Sequence, residues 1–245
     1  MIKLLKKIRQ KLLGENKLRN YLLYAVGEIV LIVIGILIAV QINNKNTERQ
    51  RKVLEIKILN EILNNLSDDL VQIKDEIFSD SVIIHADSLL ISHIRLSASF
   101  NDTFAGYLRV AEMFPHFDSK ESGFQLLESK GIDLITDDSL RIKITDFYKR
   151  EYPYFRKYER ERVEIIQTII KPYWTEHFYL ESYSSWPYLK RTPIKNEETM
   201  RDEELISLLQ TSSSLSNIML EKAYFIERQA EQLQKQIVQY LADKN

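Results

Sequence analysis

Four histidines, His85, His93, His116 and His177, are the side chains of this sequence best suited to acid–base or metal chemistry, and their spacing favours neither. His85 and His93 stand two helical turns apart, not the single turn that brings two imidazoles to one ion. Asp80, His85, Asp87 and Ser88 offer groups of the general acid–base type, yet on a helix the set reads as a solvated face. No phosphate-cradling glycine loop, zinc spacing or nucleophile elbow occurs, and Cys is absent, which removes disulfides and thiolates together. No catalytic residue, metal ligand or cofactor is therefore assigned. Lys149, Arg150, Arg156, Lys157, Arg160 and Arg162 alternate with Glu151, Glu159, Glu161 and Glu164, the pattern of a salt-laced helix surface. Nucleic acid is not an expected partner.

Polar chemistry is most conspicuous where it is most costly, inside the run Tyr21 to Ile42. Glu28 and Gln41 are its two polar residues apart from the tyrosines, and an intramembrane carboxylate costs about 2.5–3.5 kcal/mol at a bilayer centre. Such a group needs a partner: a flanking cation such as Lys17 or Arg19, a polar group of another subunit, or a path for protons or ions. Ile29 to Val40 holds no polar side chain, and at about 1.5 Å rise per residue the run spans roughly 33 Å, enough for a hydrocarbon core of about 30 Å. Gly27 and Gly35 do not form a strict small-xxx-small pair, so a tight helix dimer is not signalled.

The elements around this run set the expected topology. Met1 to Leu13 is amphipathic, with Lys3, Lys6, Lys7 and Lys11 off the apolar face and suited to anionic lipid headgroups. Seven Lys or Arg residues precede Tyr21 against Glu15 alone, whereas acidic residues outnumber basic ones from Asn43 onward. The positive-inside rule then places the N-terminus in the cytoplasm and the long C-terminal domain in the periplasm, across a bacterial inner membrane. The apolar run exceeds a secretory h-region and ends Ala39, Val40, Gln41, so an uncleaved anchor is expected.

After Asn43, Ile56, Leu59, Leu63, Leu66, Leu70, Ile73 and Ile77 make a heptad seam, broadened by Ile58 and Ile62. The apolar pattern resumes in Val82, Ile83, Ile84, Leu89, Leu90 and Ile94, as the same helix continued or bent near Ser79–Ser81, and ends about Ser97. Short helices follow near Phe104–Met113 and Lys120–Ser129, with Gly131 as a stop. Thr136–Asp138 caps the next helix, whose inward residues are Leu140, Ile144, Phe147 and Tyr148. Pro153 and Pro172 should kink or interrupt what comes next, where Tyr158, Val163, Ile166 and Ile170 face inward. Tyr173 to Lys195 is irregular and aromatic; Tyr173, Trp174, Tyr183 and Trp186 could pack over a core end or form a partner or ligand surface. A short helix over Met200–Gln210 is expected to stop at Ser212–Ser216. The last helix carries a second seam at Met219, Ala223, Ile226, Ala230, Leu233, Ile237 and Tyr240, suited to pair with the first.

GEIVLIVIGILIAVQINN, Gly27 to Asn44, behind the basic MIKLLKKIRQ, resembles the opening of a large uncharacterised family of single-span membrane proteins of Bacteroidota. A second match to that family lies in LLESKGIDLITDDSLRIKITDFY, Leu126 to Tyr148. Where the family often has tryptophan after the span, this chain has Lys45, Asn46 and Thr47, and so lacks an interfacial aromatic anchor. The resemblance implies membrane location and a helical domain; it implies no activity.

The sequence thus predicts an all-α protein: a basic amphipathic segment at 1–20, a transmembrane helix at 21–42, and an elongated antiparallel helical bundle at 43–245. Low Gly and Pro, 6 and 5 residues, with 28% charged residues, fit long helices. The expected role is non-enzymatic: interaction, scaffolding or sensing at the membrane. Partners would be the lipid bilayer and either a second copy or another membrane protein. The alternative is an accessory single-span subunit of a transporter or proton-driven motor using Glu28.

Overall fold

The computed structural model describes residues 18–181, 190–194, 196–199 and 201–244. The chain divides into two compact units, Met1–Glu55 and Ile56–Asn245. Helix α1, Leu18–Arg95, contributes to both.

In the first unit every large apolar side chain from Leu22 to Ile42 is exposed, as are Glu28 and Gln41. A fully buried aliphatic or aromatic side chain contributes about 1.5–3 kcal/mol, so this uncovered run lacks an apolar phase. By length and composition the helix can cross a membrane, a property that signal sequences near an N-terminus share. Lys3, Lys6, Lys7 and Lys11 lie outside the described residues.

Among the described residues the second unit is all-α apart from one hairpin. The remaining helices are α2 (Asp102–Ala111), α3 (Ser122–Lys130), α4 (Asp138–Asp146), α5 (Tyr152–Ile165), α6 (Lys171–His177), α7 (Asn196–Thr199) and α8 (Glu203–Lys244). From Ile56 onward α1 runs antiparallel to α8: Gln234 reaches Ser67, Glu227 and Glu231 flank Lys74, and Ser216 and Ser212 stand beside Asp80 and Asp87. Met219, Ala223, Ile226, Ala230, Leu233 and Ile237 are buried on α8 as their spacing predicts.

Helix ends follow local chemistry. Ser97 takes φ 52 and closes α1, with the Ala98 N–H donating to His93 O at 3.1 Å, and Asn101 caps α2 through Phe104 N–H. Gly131 (φ 95) stops α3, and Asp137 accepts from Leu140 N–H at 2.7 Å to cap α4.

Several features differ from expectation; on α5, Tyr158 and Val163 are only half-buried, and Tyr152, Phe155, Glu159 and Arg162 are the buried positions. Pro153 and Pro172 do not break their helix; each follows a π-helical turn, Phe147–Glu151 and Ile166–Ile170, whose wider hydrogen bonds absorb the missing N–H. Ser212–Ser216 does not interrupt α8, because Ser216 is buried beside Asp80 and Ser212 beside Asp87. Within Tyr173–Lys195, Tyr173 and Trp174 belong to α6, and β1 (Phe178–Glu181) pairs antiparallel with β2 (Lys190–Pro193), Phe178 opposite Pro193. The first seam holds at Leu59, Leu66, Leu70 and Ile73, with Ile58 and Ile62, and departs from expectation at its other positions. Ile56, Leu63 and Ile77 are only half-buried, whereas Leu59, Ile62, Leu66, Asp69, Ile73, Glu76, Asp80, Ile83, Asp87, Leu90 and Ile94 are all buried.

Two apolar groups fill this unit. One is aromatic: Phe117, Phe124, Phe147, Tyr148, Tyr152 and Phe155, with Phe124 stacked on Tyr148 at 4.7 Å and Tyr152 edge-on to Phe117 at 5.3 Å. The other gathers Leu90, Ile94, Phe104, Leu108, Ile170, Trp174, Phe178, Leu205 and Leu209. A layer of buried charge built on α1 and α5 accompanies them.

Candidate functional site

The acidic residues on the buried face of α1 begin as substitutes for backbone partners. Residues 112–121, between α2 and α3, form no regular element, so their N–H and C=O groups must be met by side chains. Asp69 Oδ1 accepts from the Lys120 N–H at 2.8 Å, Gln72 makes a reciprocal pair with the Asp118 backbone, and Asn65 Oδ1 accepts from the Gly123 N–H at 2.9 Å. From α5, Glu159 accepts the Phe117 N–H at 2.8 Å and the Arg162 guanidinium donates to Pro115 O. Gly123 permits the approach, since a Cβ there would meet Ile62 N at 2.7 Å.

One turn further along α1 the polar layer centres on Arg162. Its guanidinium donates to Asp80 Oδ1 and Oδ2 at 2.9 and 3.1 Å and to Glu76 Oε1 at 3.0 Å, and all three side chains are at most 2% exposed. Glu159 lies close enough to feel the same cation, so three carboxylates share one guanidinium. Burial pushes Glu76 up to about 8, partly offset by Arg162 and reinforced by Glu159 and Asp80. Asp80 and Glu159 are raised from the same cause, against the pull of Arg162 on Asp80 and of the Phe117 N–H on Glu159. Among the described residues Glu76 Oε2 has no hydrogen-bond partner.

Asp87 stands alone. It is fully buried, burial pushes it up to about 8, and the Ser212 hydroxyl beside it is the group that opposes the shift. Among the described residues neither carboxylate oxygen reaches a partner with hydrogen-bond geometry.

A cavity of about 610 Å³ opens beside the Arg162 layer. Met113, Phe114, Pro115, Ile166, Ile170 and Trp174 line it with apolar surface, and Gln72, Asp75, Glu76, Ser79, Arg109, Glu112, His116 and Lys171 with polar groups. Lys171 Nζ sits 5.1 Å from the centre of the Phe114 ring, and the Trp174 indole N–H, buried, has no acceptor.

The residues singled out in the sequence are placed unevenly. Tyr173 and Trp174 are core residues rather than an exposed surface, 5% and 2% exposed; Tyr173 donates to Asp202 at 2.6 Å and Trp174 lines the cavity. Tyr183 and Trp186 lie outside the described residues. Asp80 and Asp87 are not on a solvated face, although His85 and Ser88 beside them are exposed. Arg162 and Glu159 are likewise interior members of a helix that otherwise carries surface ion pairs such as Lys157–Glu161. Their signal was present as periodicity: Leu59, Leu66, Ile73, Asp80, Asp87 and Ile94 recur every seven residues, as do Ile62, Asp69, Glu76, Ile83 and Leu90. An acid at a seam position calls for an interior partner, which is a backbone N–H and the Tyr152 hydroxyl for Asp69 and Arg162 for Glu76 and Asp80, while Asp87 has only the Ser212 hydroxyl beside it.

These features define an all-α protein: a helical bundle with a charged interior layer and a cavity beside it, carrying an exposed apolar helix of the kind found in membrane anchors and signal sequences. The chain belongs to a family of unknown function, DUF6090, whose pattern matches residues 28–164. That match takes in Glu28, the acidic face of α1, α5 up to Arg162 and both sequence motifs from Glu28 onward. No curated protein and no solved structure matches the chain.

Proposed function

We propose that this chain is a single-pass, non-catalytic protein of the bacterial inner membrane, with its N-terminus in the cytoplasm and its helical domain in the periplasm as a sensing or scaffolding module. The observation that carries the reading is the uncovered apolar face from Leu22 to Ile42, on the helix whose later turns line the bundle core. The bundle puts its buried charges into anchoring an irregular segment and bordering a cavity, an arrangement suited to recognition. The charge bias across residues 1–52 supports the orientation. A second copy or another membrane protein is the expected partner, because Glu28, exposed within the apolar run, calls for a polar group to meet it.

A periplasm-active phosphatase fused after Asn245 should be active, a cytoplasm-only fluorophore at the same place should stay dark, and the purified chain should retain its first forty residues by mass. The reverse pair of reporter results would overturn the orientation, and loss of the N-terminal residues would replace the anchor with a cleaved signal.

A further inference from the structure

We propose that the cavity beside Glu76 binds a small organic cation, an amine with an apolar body. The proposal rests on the sensing reading of the helical domain but not on which side of the membrane that domain occupies.

The cavity, at about 610 Å³, falls within the range of about 300–1,000 Å³ usual for small-molecule sites, and Met113, Phe114, Ile166, Ile170 and Trp174 suit an apolar body. Its charge is unbalanced. Asp75, Glu76 and Glu112 line it against Arg109 and Lys171, while behind Glu76 the carboxylates of Asp80 and Glu159 share Arg162. Lys171 is already engaged with the Phe114 ring.

The deficit of positive charge is focused at Glu76. Its Oε1 accepts from Arg162, its Oε2 accepts from nothing among the described residues, and the side chain is 1% exposed. Shielded from bulk water, this carboxyl projects a field into the cavity with little dielectric damping. A ligand cation supplies the missing counter-charge, whereas an anion would meet an excess of acid and a neutral ligand would leave the deficit in place. Among the described residues no three His, Asp or Glu side chains group as metal ligands, which favours an ammonium on a carbon skeleton over a bare ion.

The site also carries its own pH signature. Glu76 is pushed up to about 8 in the empty protein by burial and by Glu159 and Asp80 behind it, opposed by Arg162. The other charged groups on the cavity are Asp75 from α1, Arg109 from α2, Glu112 and His116 from the segment after it, and Lys171 from α6. An ammonium prefers the ionised carboxylate, so binding releases a proton from Glu76. Affinity therefore rises with pH and levels off above about 8.

The test is calorimetric titration of the full chain in nanodiscs with three probes of one shape: 2-phenylethylamine, 2-phenylethanol and phenylacetate. The expected result is saturable binding of the amine, about tenfold or more tighter than either isostere, with proton release near neutral pH. Glu76→Gln keeps the side-chain shape and a carbonyl oxygen for Arg162, and should weaken the amine about tenfold or more while leaving the helical circular dichroism unchanged. Ile170→Trp fills the cavity with Glu76 intact and should abolish binding. Equal binding of the three probes, undiminished amine affinity in Glu76→Gln, or no binding to a folded parent at millimolar amine would each overturn the proposal. Failure of the amine with the expected reporter topology removes the ligand site alone. Intact amine binding with the opposite topology removes the periplasmic placement alone.

Discussion

Asp69 and Asp87 occupy one buried face of one helix, and the protein treats them in opposite ways. At Asp69 both oxygens are taken, by the Lys120 N–H at 2.8 Å and the Tyr152 hydroxyl at 2.7 Å, and burial lifts the acid only to about 6. At Asp87 neither oxygen is taken, and the lift reaches about 8. Burial raises both and is deeper at Asp87, while at Asp69 two donors and the Lys120 ammonium pull the other way. Glu76 falls between, with one oxygen on Arg162 and the other unpartnered. The Asp69 end of the layer holds the segment between α2 and α3 in place, while the Glu76 end retains electrostatic capacity beside an open cavity. Fully satisfied polar groups fix structure; partly satisfied ones remain available to a ligand or a proton.

The largest effect should come from removing the cation that the open end depends on. Arg162→Leu leaves Glu76 and Asp80 buried without the guanidinium they share, removes one of the cations near Glu159 and frees Pro115 O, so the loss in a chemical denaturation series should be roughly 3–5 kcal/mol. A parent-like midpoint would mean that the three acids are neutral and need no cation. At the closed end, Gly123→Val places side-chain atoms where even a Cβ would lie 2.7 Å from Ile62 N. The expected cost is about 1–3 kcal/mol, together with loosening of the Asn65 contact to the Gly123 N–H. An unchanged melt would show that α3 and α1 are further apart than described.

Much of the architecture was legible as periodicity. The buried stripe of α8, the caps at Asp137 and Gly131 and the inward set Leu140, Ile144, Phe147 and Tyr148 follow from spacing and local hydrogen-bond chemistry alone. What stayed hidden was polar. A seam traced through apolar residues keeps Leu70 and Ile73, which are buried, but then steps to Ile77, whereas the buried face also takes in Asp69, Glu76 and Asp80. The sequence does not reveal that Arg162, about eighty residues away, turns inward to meet them. For the same reason Ser212 and Ser216 look like a helix break until their buried neighbours are known. The prolines misled by a different route, because π-helical turns let a helix pass a residue that has no N–H.

A further effect concerns pH. Raised acids hold protons in the folded state that the unfolded chain has released, so stability falls as pH climbs from about 4, where free carboxylates titrate, to about 8. Asp87→Asn removes one such group, and its melting temperature should decline less steeply over that interval than the parent's. Parallel curves would assign the slope to other groups.

The most direct test of the contrast within the acidic face is an infrared titration of the full chain. Protonated carboxyl groups have a carbonyl band separate from that of carboxylates, and carboxyl variants assign it. Asp69→Asn should remove a component that titrates near pH 6, and Asp87→Asn one that persists through neutral pH and fades near 8. A spectrum in which both components vanish together below pH 5 would show that Asp87 is as well supplied with donors as Asp69, and would contradict the division of the layer into a closed end and an open one.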